Sequence, residues 1–340
     1  MGLTVDRREQ IYSLLFILVF CMLLPLFIRG DLYYLHVFTL AMIWGGIAVL
    51  WDFIMGYAGI FTFAQTGLFV VGAYVSGMLV NSLGISPWLG MLGATIANAI
   101  VGLIIALPCL KLRGAYVALV TFTFYLILDP LIKLGGPVGT GGAKGLWNIP
   151  SLEVGSLVLS SDHRVAAYYG AFTLAFLIRF LVYRIINSFL GLSFIAVRDA
   201  ENFAENLGID AYKCRLIVFC ISSALTGTLG AFYVHYIKFI SPRTLSLDTF
   251  LMVLLMLIIG GYARFPGGFV GAFVISFLGE VLRPIDQFRF LVFGAIMILS
   301  IVFMRKGVMS LIFDHVIPFV KRNLGGQRLK EREVIQRTLD

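Results

Sequence analysis

Ten apolar stretches, each about 16 to 23 residues long, limit most strongly how this chain can fold. A helix that crosses the hydrocarbon core of a bilayer needs about 20 mostly apolar residues. Hydrophobic residues make up 60% of the 340-residue chain and charged residues only 13%, whereas soluble domains are ~45–50% apolar and ~25% charged. These values exclude a soluble enzyme, a nucleic-acid-binding protein and a disordered chain. The sequence predicts an all-α polytopic membrane protein with about ten transmembrane helices, over 11–28, 34–52, 59–81, 87–108, 115–133, 165–186, 215–236, 247–262, 266–283 and 287–304.

The basic residues predict the orientation of these helices. If residues 1–10 lie in the cytoplasm and every apolar stretch crosses, 18 of the 26 lysines and arginines fall on the cytoplasmic side, Arg179 among them. Cytoplasmic loops of membrane proteins carry such an excess of positive charge. We therefore expect both termini in the cytoplasm, with 11–305 as the membrane domain. The loop 134–164 is then outside and the loop 187–214 inside.

The segment 306–340 is predicted to be a cytoplasmic tail. Its first part repeats apolar residues at helical spacing, ahead of Lys321 and Arg322. This pattern is typical of an amphipathic helix that lies in the membrane interface. A continuation of the last span fits the same pattern equally well.

Ionisable and metal-binding side chains are too scattered in this sequence to indicate catalysis. Asp52, Asp129 and Glu280 stand at or near the ends of apolar stretches, where we expect them to reach the membrane interface. The four histidines have no ligand partner at helical spacing, and the four cysteines form no CxxC pair. The glycine-rich run Gly135–Gly145 lacks the G-K-[ST] of a phosphate-binding loop. We expect no catalytic residue, metal or cofactor, so the energy for any transport has to come from a partner.

The loop 187–214 contains a short amphipathic pattern. Four of its residues recur at i, i+3, i+4 and i+7, on one face of a helix; they are Ala200, Phe203, Ala204 and Leu207. Gly208 follows in the position that commonly ends a helix. Arg198, Glu201 and Glu205 lie off this stripe. The pattern predicts either a helix that docks in a groove on a soluble partner or an ordinary helix beside the membrane.

Four stretches of the chain carry recognisable motifs. They are Gly56–Gly67 continuing through Gly72 to Tyr74, Leu112–Thr121, Thr140–Leu146 with Ile149 and Pro150, and Ser193–Asp210. In this order and on this pattern of spans, they resemble the permeases of branched-chain amino acid ABC transporters, and the second and third are similar to the LivM-type subunit. The resemblance covers roughly residues 35–305. Its structural glycines are Gly56, Gly59, Gly67, Gly72, Gly114, Gly141, Gly142 and Gly145.

The resemblance implies an importer of several subunits in a bacterial inner (plasma) membrane. This chain and a homologous LivH-type permease would form the translocation path, two cytosolic ATP-binding subunits would drive it, and a periplasmic solute-binding protein would deliver the solute. The solute implied is a branched-chain amino acid or a related small polar molecule. A stand-alone secondary carrier or channel and a membrane-embedded enzyme are the alternatives, and neither of them predicts the loop helix.

The resemblance also implies two groups of functional residues. Coupling to the ATPase is expected at the loop helix, through Arg198, Ala200, Glu201, Phe203, Ala204, Glu205, Leu207 and Gly208. Polar side chains in an apolar span tend to face the interior of the bundle rather than lipid. The translocation path is therefore expected to include Thr62, Gln65, Thr66, Thr121 and Thr123.

Overall fold

The computed structural model describes residues 22, 25, 32–109, 112, 114–155, 157–261, 263, 267–283 and 288–303. Two predicted segments lie outside these residues: the cytoplasmic N-terminal segment 1–10 and the tail 306–340 with its amphipathic helix. The first apolar stretch, 11–28, also lies outside them, apart from Met22 and Pro25.

Eleven α-helices account for most of the described residues. They are α1 (Leu32–Asp52), α2 (Gln65–Leu83), α3 (Pro87–Cys109), α4 (Ala115–Leu134), α5 (Arg164–Ile186), α6 (Phe189–Asp199), α7 (Glu201–Asn206), α8 (Ala211–Ile237), α9 (Leu247–Gly260), α10 (Gly267–Val281) and α11 (Arg289–Phe303). A π-helical turn, Phe53–Tyr57, continues α1. Short 3-10 turns cover Gly136–Val138, Gly142–Lys144 and Pro242–Leu245. The strands β1 (Leu152–Val154) and β2 (Leu157–Leu159) pair as an antiparallel hairpin, the one two-stranded sheet among the described residues.

Six of the described helices are long and apolar enough to cross a membrane: α1 with its π-helical turn, α2, α3, α4, α5 and α8. The helices α9, α10 and α11 have 14, 15 and 15 residues. At 1.5 Å per residue they are about 21–23 Å long, which is shorter than the ~30 Å hydrocarbon core of a bilayer. The prediction of a multi-pass helical membrane protein is therefore confirmed, whereas the count of about ten spans is not.

The longest helix, α8, packs against both α2 and α3. Where it crosses α2, a Cβ on Gly72 would lie 2.5 Å from the Cα of Gly227, so only glycine permits the two backbones to come this close. A similar contact brings Gly102 of α3 against Ser223. Lipid supplies no hydrophobic drive to helix association, and close packing of small residues holds such helices together. The helix α1 lies beside α8 and packs in turn against α5 and α10.

The connecting segments lie at two opposite ends of the bundle. At the first, which we call the hairpin end, Leu146 pairs with Ile240 and Lys238 forms an ion pair with Asp162. The hydrogen bond from Lys238 holds the pKa of the exposed Asp162 carboxyl below its usual value. At the second, the α6–α7 end, the end of α1, the start of α4 and the helix α6 line one pocket. The predicted order of crossings divides these loops into the same two groups, and which end faces the cytoplasm stays a prediction.

Two charged residues lie deeper than we expected from the sequence. Arg179, assigned to the cytoplasmic side, is only 1% exposed, and its guanidinium carbon lies 5.2 Å from the centre of the Phe269 ring. Asp52, assigned to the membrane interface, is buried and accepts a hydrogen bond from the Ala263 amide at 2.8 Å. Both helices continue beyond these residues, α5 to Ile186 and α1 through its π-helical turn, so neither side chain reaches the end of the bundle.

Candidate functional site

The loop between α5 and α8 contains two helices: α7 covers most of the short helix that the periodicity predicts, and α6 precedes it. The chain breaks at Ala200, where φ is −153° and ψ is 77°, so α6 ends at Asp199 and α7 begins at Glu201. The residues on either side of the break have different partners: Arg198 bonds to α1, whereas Glu201 pairs with Arg215 of α8. Ala200 immediately precedes α7, and its carbonyl accepts a hydrogen bond from the Ala204 amide at 2.9 Å, so the predicted stripe begins at the end of the helix rather than within it.

The remaining residues of the stripe point in two directions. Ala204 is 1% exposed and faces the bundle, whereas Phe203 is 65% exposed and Leu207 is 67% exposed. Gly208 has φ +83°, a left-handed conformation that favours glycine. Its amide bonds to the carbonyl of Glu205 at 2.9 Å, so it ends the helix as predicted. The exposed apolar face of α7 is thus the pair Phe203 and Leu207.

Charged side chains fix α6 and α7 to the bundle. Arg198 Nη1 donates to the carbonyl of Gly56 at 2.6 Å, and its Nε lies 2.8 Å from a carboxylate oxygen of Asp199. That hydrogen bond from Arg198 lowers the pKa of Asp199. The guanidinium of Arg215 and the carboxylate of Glu201 are 2.8 Å apart, which joins α7 to α8. Glu205, also predicted for this site, is exposed to solvent.

A pocket of about 230 Å³ lies at the α6–α7 end of the bundle. Its walls come from the segment 58–61 after α1, the end of α3, the start of α4, and the helices α6, α7 and α8. The charged side chains that line it are Arg198, Glu201 and Arg215. The pocket therefore lies between the segment that leads into α2 and the loop helices, beside the direct contact of Arg198 with Gly59.

That segment, 58–64, enters the bundle and ends at a layer of buried polar side chains. Gln65, the first residue of α2, donates to Ser222 Oγ at 2.6 Å and accepts from Thr226 Oγ1 at 2.7 Å. Ser222 is about 16 Å along α8 from its first residue at 1.5 Å per residue. The helix α2 therefore begins well inside the bundle rather than at its surface.

Three more of the predicted path residues belong to this layer. Thr62 accepts a hydrogen bond at its carbonyl from Trp51 Nε1 at 2.7 Å, and Thr121 Oγ1 accepts one from the Phe63 amide at 2.9 Å. Thr66 is buried, and its hydroxyl has no partner among the described residues. We call the set Thr62, Gln65, Thr66, Thr121, Ser222 and Thr226 the buried polar layer.

The structure separates Thr123 from the buried polar layer. Its side chain is exposed on the outer face of α4 and donates to the carbonyl of Leu119 at 2.9 Å. Sequence reasoning also missed Ser222 and Thr226, which complete the hydrogen bonds of Gln65. Their spacing of i and i+4 in an otherwise apolar span would have pointed to one polar helix face.

The predicted structural glycines occupy turns and close contacts. Gly56 lies in the π-helical turn against Asp52, and Gly67 packs against Leu128. Gly59, Gly114, Gly141, Gly142 and Gly145 have positive φ values, whereas Gly72 is the contact between α2 and α8 described above. Within the described part of the chain, no group of three or more His, Cys, Asp or Glu side chains is arranged to hold a metal ion.

Comparison with known proteins gives a family for this architecture. Residues 33–301 match the family model described as "Branched-chain amino acid transport system / permease component". The chain is 25% identical over 332 residues to the high-affinity branched-chain amino acid transport system permease protein LivM of Salmonella typhimurium, covering 91% of this chain and 76% of the relative. It is also 25% identical over 294 residues to LivM of Escherichia coli, covering 80% and 69%.

A third relative is a LivH-type protein. The probable branched-chain amino acid transport permease protein LivH of Methanocaldococcus jannaschii is 28% identical over 250 residues, covering 70% of this chain and 78% of the relative. No solved structure matches the chain.

Proposed function

Since the chain belongs to the branched-chain amino acid transport permease family, we propose that it is the LivM-type permease of an ATP-driven, binding-protein-dependent importer. In this proposal it forms half of the translocation path for a branched-chain amino acid or a related small polar solute. Its partners are a homologous LivH-type permease, two cytosolic ATP-binding subunits and a periplasmic solute-binding protein. The assembly lies in a bacterial inner membrane, with both termini of this chain in the cytoplasm.

The exposed apolar pair Phe203 and Leu207 is the observation that carries this proposal. Both residues lie at the α6–α7 end, on or beside a helix that the ion pair of Glu201 with Arg215 joins to α8. A short, rigid helix with an uncovered apolar face is suited to insertion into a groove on a soluble partner. We assign this face to the ATP-binding subunit, so that the α6–α7 end is the cytoplasmic end.

We propose that the solute passes beside the buried polar layer. Supporting this, α2 begins inside the bundle there, and the Thr66 hydroxyl has no hydrogen-bond partner among the described residues. Buried polar groups without a partner are uncommon and call for an explanation such as a ligand or water. Gln65, by contrast, has both amide atoms satisfied within the layer, so its first role is to hold α2 against α8.

Reconstitution tests this function directly. We expect the chain, assembled with its three kinds of partner in proteoliposomes, to import radiolabelled leucine only when ATP is present on the ATPase side. The chain alone should show neither ATP hydrolysis nor uptake. ATP-independent uptake by the chain alone would instead establish the stand-alone carrier or channel.

A further inference from the structure

The side chain of Arg198 joins the α6–α7 loop to the end of α1. Its Nη1 donates to the carbonyl of Gly56 at 2.6 Å, across 142 residues of sequence. The side chain is only 18% exposed although it belongs to a surface loop. A hydrogen bond from a charged group that is largely shielded from water is stronger than one between neutral groups. The contact therefore fixes α6 to the last turn of α1.

The aliphatic part of Arg198 also lies directly against the segment 58–64. Gly59 has φ +70°, and a Cβ at this position would lie 2.4 Å from the Cγ of Arg198. No side chain fits between the two groups. The segment therefore cannot move towards α6 without displacing the arginine.

The other end of the segment 58–64 is held by the buried polar layer. Trp51 Nε1 donates to the carbonyl of Thr62, and the Phe63 amide donates to Thr121 Oγ1. Between the contact of Gly59 with Arg198 and these hydrogen bonds at Thr62 and Phe63, the segment forms no regular helix. Phe61 is 44% exposed there, beside the pocket of about 230 Å³. The pocket leaves space for the segment to change position.

We propose that Arg198 is the positioning residue that transmits movement of the α6–α7 loop to the segment 58–64, and that this segment is the moving element at the solute path. The inference rests on the proposed function, because it assumes that an ATPase moves α7. Glu201 and Arg215 hold α7 to α8 separately, so loss of Arg198 leaves the docking helix attached. Removing this arginine should therefore uncouple ATP hydrolysis from transport without removing the ATPase.

The test uses the complete transporter in proteoliposomes, with ATPase binding, ATP hydrolysis and leucine uptake measured on each sample. For Arg198→Ala we expect normal binding and hydrolysis, with leucine transported per ATP reduced about 5- to 150-fold, the range typical of coupling between sites. Arg198→Lys should give an intermediate loss, since lysine keeps the charge but not the two-sided guanidinium contact. If the Arg198→Ala variant fails to fold, the Arg198→Lys variant still tests the proposal. Arg184→Ala, at an exposed arginine of the same end, is the matched control.

A second pair of variants tests the contact itself. Gly59→Ala should reduce coupling because its methyl group collides with the Cγ of Arg198. In the Arg198→Ala background the Cγ is absent and the nearest remaining atom is the Cβ at 3.1 Å, so Gly59→Ala should cause a smaller further loss of leucine per ATP there than it causes in the wild type. If Gly59→Ala reduced leucine transported per ATP by the same factor in the wild type and in Arg198→Ala, the role of the contact between Gly59 and Arg198 would be refuted.

Two further results refute the transmission role. One is an unchanged ratio of leucine to ATP in both Arg198 variants. The other is loss of ATPase binding in them, which would assign Arg198 to the docking surface. Absence of ATPase binding and ATP-dependent uptake in the wild-type complex would refute the proposed function itself, and is thereby distinguished from failure of the inference about Arg198.

Discussion

Replacement of Phe203 by alanine separates docking of α7 from folding of the chain. A phenylalanine side chain carries about 150–250 Å² of surface, so an exposed fraction of 65% leaves about 100–160 Å² for a partner to cover. At ~25 cal/mol per Å² this surface contributes about 2.5–4 kcal/mol to association. We therefore expect Phe203→Ala to weaken binding of the ATPase by about two to three orders of magnitude.

The same substitution should leave the permease itself intact. Most of the side chain has no contact within the chain, and substitutions of that kind usually change stability by less than about 0.5 kcal/mol. Alanine also favours the helix more than phenylalanine does, so α7 should not unfold. Thermal unfolding of the detergent-solubilised permease should therefore be unchanged while its ATPase binding curve shifts.

The assay is a titration of immobilised permease with purified ATP-binding subunit. Phe189→Ala is the matched control, because Phe189 is 80% exposed but lies at the start of α6, about one helix length from α7. It should bind the subunit as the wild type does. Normal binding by Phe203→Ala together with weak binding by Phe189→Ala would show that the docking face lies on α6, contrary to our assignment.

The apolar stretches predicted the long helices well because length and hydrophobicity are local properties. The described chain contains a helix of sufficient length for six of them. Gly208 was also predictable, since a left-handed helix end depends on the residue itself rather than on distant partners. The order of the loops at the two ends follows directly from the succession of helices.

The failures arose where distant residues decide the conformation. At the break between α6 and α7, Arg198 bonds to the carbonyl of Gly56, 142 residues away, and Glu201 pairs with Arg215 of α8. A single amphipathic period carries no information about such partners. The burial of Asp52 depends likewise on the Ala263 amide, 211 residues away.

Thr121 and Thr123 show a different limit of the sequence reasoning. Both are polar residues in one apolar span, and we assigned both to the path on that ground alone. Residues two apart on a helix do not share a face, and in the structure Thr121 is buried whereas Thr123 is exposed. Helical periodicity could have separated them, but only the packing of α4 decides which of the two faces inward.

Three further predictions concern the bundle rather than the loop. Gly72→Val should prevent stable insertion, measured as permease recovered from membranes, because its side chain would overlap the backbone of Gly227. Gln65→Leu should destabilise the permease by about 1–3 kcal/mol in denaturant unfolding, since it leaves buried hydroxyl groups without their amide partner. Asp162 has a lowered pKa when folded, so the stabilisation that it gains from Lys238 is present at neutral pH and lost as the pH falls through that lowered value. Asp162→Asn should therefore reduce the dependence of thermal stability on pH below about pH 4, and an unchanged acid profile would show that the ion pair does not hold the hairpin end together.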